Sequence, residues 1–128
     1  MIKSLEKCDI DDMDELESIS KGLKEIKFEK RLHPGLTADA KTTTIKGIDG
    51  DPLKLYDWMI KEFGHSICGK WQFLYSKGGE KISCIRGSVS FGSYEIYATE
   101  GSTMEDPERF ETAEECLKRI KELLQLKK

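Results

Sequence analysis

At 128 residues, the chain has the size of one domain and can bury a real core without disulfide or metal staples. With 38% hydrophobic and 35% charged residues it reads as a soluble globular protein with a heavily charged surface. Its net charge of −3 argues against a broad cationic face for nucleic acid, and no apolar run is long enough to span a bilayer.

The opening stretch MIKSLEKCDIDDMDELE lacks the apolar centre of a signal peptide, so the expectation is a cytoplasmic protein with no membrane attachment. Cys8, Cys68, Cys84 and Cys116 include no C-x-x-C pair. In a reducing compartment such thiols are free and mostly buried, whereas in a secreted chain they could form two disulfides. Charge is segregated: 1–20 is acidic, 21–33 basic and 100–111 acidic again. Blocks of this kind are ordinarily solvated helix faces or loops.

In chain order, Met13, Leu16, Ile19 and Leu23 recur at helical spacing, which predicts a first helix from about Asp11 to Ile19 or Lys21. Asp11, Asp12, Asp14 and Glu15 favour its positive end, and Gly22 is a stop signal. Ile26, Phe28 and Lys30 alternate as in a strand. HPGLTAD reads as a turn, and the β-branched run in AKTTTIKGI reads as a second strand, making a hairpin over 26–48.

DGDPLKLYDWMIKEFG predicts a helix capped by Asp51, with Pro52 in its first position and Gly64 closing it. Its stripe is Leu53, Tyr56, Ile60 and Phe63, widened by Leu55 and Met59, with Trp58 at the edge.

A three-strand meander follows. Trp71, Phe73 and Tyr75 share one face by period two. A loop of Ser76 to Gly79 would set Tyr75 opposite Glu80, Phe73 opposite Ile82 and Trp71 opposite Cys84. Gly92-Ser93 reads as a type II′ turn that places Phe91 opposite Tyr94 and Val89 opposite Ile96, with a bulge at Arg86-Gly87 to restore parity. The last helix has Thr112 and Glu115 as a capping box and an apolar face of Ala113, Cys116, Leu117, Ile120, Leu123 and Leu124. The cationic tail LKK suits its negative end.

The expected fold is α+β over one domain, 1–128. A curved antiparallel sheet of about five strands carries three helices on its apolar face, in the order α-β-β-α-β-β-β-α.

The stretch FGHSICGKW holds His65 and Cys68 in H-x-x-C spacing. Zinc needs more ligands than these two, and the other histidine, His33, lies in a different loop. Gly64 and Gly69-Lys70 imitate part of a phosphate-binding loop, but Trp71 stands where Ser or Thr would hold magnesium, and a helix precedes the glycines instead of following them. No third group orients a Cys68–His65 nucleophile and base. TEGSTMEDPERFE offers Glu100, Glu105 and Asp106 as oxygen ligands and Met104 as an apolar point, without the order of an EF-hand.

The candidate binding residues are therefore His65, Cys68, Glu100, Met104, Glu105 and Asp106; no catalytic residue, metal set or cofactor is assigned. Trp71, Phe73 and Tyr75 beside Lys70, Lys77, Lys81 and Arg86 resemble a base-stacking sheet, but their row also holds Ile82 and Cys84, the composition of a core.

The expected function is a non-enzymatic accessory or protein-binding module. Its partner would be another protein, or a second copy pairing through a sheet edge. The alternatives are a small metal-dependent hydrolase using His65 with the acidic loop, and a single-stranded nucleic-acid binder using the sheet.

Overall fold

The computed structural model describes residues 12–66, 69–87, 90–100 and 106–125. The elements run α1 (Asp14–Ser20), β1 (Lys27–Leu32), α2 (Pro34–Thr42), α3 (Pro52–Phe63), β2 (Trp71–Lys77), β3 (Glu80–Arg86), β4 (Tyr94–Glu100), β5 (Glu108–Phe110) and α4 (Ala113–Gln125). The five strands form one sheet in the order β1-β2-β3-β4-β5, and every neighbouring pair is antiparallel. The architecture is α+β, as the sequence indicates.

The expected inward face holds. Phe28, Tyr75, Ile82 and Ala98 form one row across the sheet, and Lys30, Phe73, Cys84 and Ile96 form the next. Phe73, Tyr75, Cys84 and Ile96 are fully buried. They pack against Met13 and Leu16 on one side and Cys116, Ile120 and Leu124 on the other, so α1 and α4 cover this face. Phe28 meets Phe73 edge-on at 5.0 Å between ring centroids, a favoured aromatic geometry.

Lys30 projects into the same face yet stays paired. Its Nζ lies 2.9 Å from Glu17 and 4.2 Å from the Trp71 ring centroid. The hydrogen bond from Lys30 holds the Glu17 carboxyl below the usual carboxylate range.

Four expectations change. The strand read into 40–48 does not exist; 34–42 is helix α2. Pro34-Gly35 breaks a helix interior but starts a helix well, because proline at the first position misses no hydrogen bond. The His33 side chain caps that end, with Nδ1 accepting the Gly35 N–H at 2.9 Å. The β-branched run then ends the helix: Thr43 is extended, at φ −83° and ψ 123°. The fifth strand is instead β5, inside the stretch read as loop.

The β2–β3 connection is a two-residue turn. Gly78 and Gly79, at φ 58° and 89°, place Lys77 opposite Glu80 and Phe73 opposite Cys84. A pair of glycines supplies the two positive φ values that such a turn requires. The register therefore slips by two from expectation, and side-chain faces survive because the strand period is two.

The β3–β4 connection spans 87–93, and no tight turn forms at Gly92-Ser93. Arg86 pairs with Tyr94 and Cys84 with Ile96, while the register irregularity lies at Lys81/Ile82. Phe91 is not a core residue: it is 80% exposed, with φ 56°. Val89 lies outside the described residues.

Finally, among the described residues, two helices lie on the apolar face. Helices α2 and α3 pack on each other around a second core of Leu36, Ala40, Ile48, Leu55 and Met59. Helix α1 begins at Asp14, and Asp11 falls outside the described residues, as does the LKK tail. The expected caps of α3 and α4 are in place. Asp51 accepts the Leu53 and Lys54 N–H groups, Gly64 takes φ 82°, and Thr112 Oγ1 accepts the Glu115 N–H at 3.1 Å.

A candidate docking groove on α3

Helix α3 is apolar over more of its circumference than one contact can bury. At 100° per residue, the arc from Leu55 through Met59, Phe63, Tyr56 and Ile60 to Leu53 covers roughly 160°, with Trp58 beyond Glu62 at its edge, against about 100° for one packing stripe. Only one side of it is closed: Leu55 is 2% and Met59 7% exposed, both packed in the α2–α3 core. Leu53 and Phe63, which the sequence places in the apolar stripe, are 44% and 62% exposed. The buried face is thus turned toward Leu55, because α2 lies on that side.

Where α3 meets α2 a cavity of about 430 Å³ opens, floored by Leu55, Trp58, Met59 and Phe63. Trp58 and Phe63 stand edge to face, 5.5 Å apart at 88°. Asp39 of α2, Thr43 just past its end and His65 after α3 give it its polar points. The left-handed Gly64 turns the chain at the end of α3 and brings His65 back over the helix. The buried His65 Nδ1 has no hydrogen-bond partner, which is uncommon for a buried polar atom. Ser66, fully buried beside it, reaches the Met59 sulfur at 3.9 Å.

Of the sequence candidates among the described residues, His65 alone lines this groove. Asp106 is exposed ahead of β5, and the Glu100 backbone closes β4 opposite Lys81. Cys68, Met104 and Glu105 lie outside the described residues. His33 does not join His65; its Nδ1 is committed to capping α2. Burial pushes the His33 imidazole below its ordinary range, opposed by Asp39 and aided by Arg31. Among the described residues, no three His, Cys, Asp or Glu side chains are grouped to hold a metal ion.

The sequence reading missed the groove itself. Trp58 at the edge of an over-wide stripe was its visible signal, but the opposing wall is α2, a segment read as a turn leading into a strand.

The open sheet face is polar by comparison. Gln72 Nε2 donates to Ser83 Oγ at 2.7 Å, Gln72 Oε1 accepts from Arg31 Nε, and Arg109 pairs with Glu95 at 3.0 Å. Leu74, Ile85 and Tyr97 lie among these groups. The ring row that could have stacked bases is closed at Phe73 and Tyr75, both 0% exposed.

No protein-family model matches the chain, and neither the curated proteins nor the solved structures contain a match. Among the described residues, no helix is long and apolar enough to cross a membrane.

Proposed function

We propose that the chain is a cytoplasmic, non-catalytic accessory module that takes the apolar side of a short amphipathic segment of a protein partner onto α3 and into the groove beside it. The observation that carries this reading is the uncovered part of the α3 arc. Leu53 and Phe63 lie ten residues apart, so the exposed apolar line runs about 15 Å along the helix. That length suits a peptide segment better than one small ligand. Trp58 and Phe63 provide an aromatic centre, and Lys54, Asp57, Lys61 and Glu62 supply a rim of both signs, the usual anatomy of a protein interface.

The sheet edge is a weaker alternative for a partner. Lys27, Glu29, Lys30 and Arg31 run along β1, and charges of this kind discourage strand addition; β5 has only three residues. Cys84 and Cys116 are free thiols, which suits a reducing compartment.

The test is selection of binding peptides from a random displayed library against the folded chain, followed by rebinding to Leu53→Asp/Phe63→Asp. Amphipathic peptides that lose at least tenfold in affinity on the variant support the proposal. Peptides that bind the variant equally well, or a chain whose α3 face is occupied by a second copy in solution, overturn it.

A further inference from the structure

Two thiols meet in the main core, outside the groove. Cys84 comes from the middle of β3 and Cys116 from the first turn of α4, and their sulfurs are 3.6 Å apart. Both side chains are fully buried. They are 32 residues apart in sequence, so a bond between them would tie α4 to the sheet across a long loop.

We propose that Cys84 and Cys116 are a dithiol pair that closes to an internal disulfide when a small-molecule disulfide oxidises it, locking α4 onto β3. A disulfide has its sulfurs about 2.05 Å apart, so closure asks for an approach of roughly 1.5 Å, shared between two side chains.

The chemistry balances in two exchanges. One protein thiol loses its proton, and its thiolate attacks the small disulfide, forming a mixed disulfide and expelling one small thiolate. The other protein thiol then loses its proton and attacks the protein sulfur of that mixed disulfide, expelling the second small thiolate. The protein gives up two electrons and two protons, and the small disulfide becomes two thiols.

The pair's surroundings set its rate. Tyr75, Tyr94, Glu95 and Arg86 lie around Cys84, and burial, with the Cys116 thiol beside it, raises the Cys84 thiol well above its ordinary range. A thiol so held is a poor nucleophile, and no small disulfide reaches it in the closed core. Oxidation therefore proceeds through openings in which α4 lifts from the sheet, and its rate follows that opening. Once closed, the bond restrains the unfolded chain and raises the thermal midpoint by about 10 °C.

The test equilibrates the full chain with oxidised and reduced glutathione in a series of ratios, under conditions where circular dichroism shows the native fold. Free thiols are then blocked with a maleimide in denaturant, and the digest is mapped by mass spectrometry. The expected result is a peptide pair joined through Cys84 and Cys116, rising with a single midpoint as the ratio becomes oxidising. A Cys8→Ser/Cys68→Ser chain should lose 2 Da and both maleimide sites. The proposal is overturned if, even in oxidised glutathione alone, Cys84 and Cys116 are both recovered as maleimide adducts. It is equally overturned if either is recovered only as a glutathione adduct or in a bond to another cysteine. Mapping the unaltered chain decides the matter even where the serine variant does not fold.

Discussion

The contact between Ser20 and Tyr75 carries an asymmetric prediction. Both side chains are fully or nearly fully buried, and their oxygens lie 2.7 Å apart. Ser20 has one hydroxyl hydrogen, and the Leu16 carbonyl 2.6 Å away can only accept. Ser20 therefore donates to Leu16, and the Tyr75 phenol donates to Ser20. Ser20→Ala leaves a buried phenol with no acceptor, a cost of about 2 kcal/mol, whereas Tyr75→Phe removes the donor itself and costs about 1 kcal/mol. The double variant has no orphaned group left and should also cost about 1 kcal/mol, so the pair is non-additive by about 2 kcal/mol.

Urea unfolding followed by circular dichroism measures this directly. With a slope of about 1.5 kcal/mol per M, Ser20→Ala should lower the midpoint by about 1.3 M and the double variant by about half as much. Additive losses, or a double variant worse than Ser20→Ala alone, would refute the donor assignment and with it the latching of α1 onto the sheet.

Other consequences can be checked separately. The lowered His33 imidazole favours the neutral form in the folded chain. Its stability contribution is therefore complete above the ordinary value of 6.5 and is lost as the pH falls through the depressed folded value. His33→Asn keeps a capping oxygen without titrating, so it should flatten the stability profile below about pH 6.5; an unchanged slope in urea midpoints would contradict this. The lowered Glu17 carboxyl contributes stability present above its ordinary 4.5 and lost as the pH falls through its folded value. Glu17→Gln should cost about 1 kcal/mol at pH 7 and reduce the acid-induced loss below about pH 4.5, as measured by thermal melts across pH. Phe63→Asp, at a position 62% exposed, should change stability by under about 0.5 kcal/mol. A larger loss in calorimetry would mean that Phe63 is packed.

Much of the sheet was legible because strand faces depend only on parity. Phe73, Tyr75, Ile82, Cys84 and Ile96 point inward as read, although the turn at Gly78 and Gly79 shifts the β2–β3 partners by two. The helices α3 and α4 were legible from Asp51, Pro52, Gly64, Thr112 and Glu115, because capping chemistry is local. The α2 segment was not. Pro34-Gly35 and three threonines each satisfy a turn-and-strand reading, and the deciding contact is the packing of Leu36 and Ala40 against Leu55, far along the chain. The groove inherits that failure. Its floor is written in α3, but its wall exists only once α2 is helical. Phe91 was misplaced for a related reason: the 87–93 connection is held by Ser90, whose Oγ donates to the Ser93 carbonyl at 2.7 Å, where the sequence shows only an ordinary glycine turn.

The account stands most directly on where a selected peptide binds. Amide and indole shifts in ¹⁵N-labelled protein, followed during titration with such a peptide, locate it. The account expects the largest changes at Leu53, Trp58, Phe63 and His65, with Gln72, Ser83 and Tyr97 unmoved. Changes concentrated on those three sheet residues, with the Trp58 indole unmoved, would contradict it.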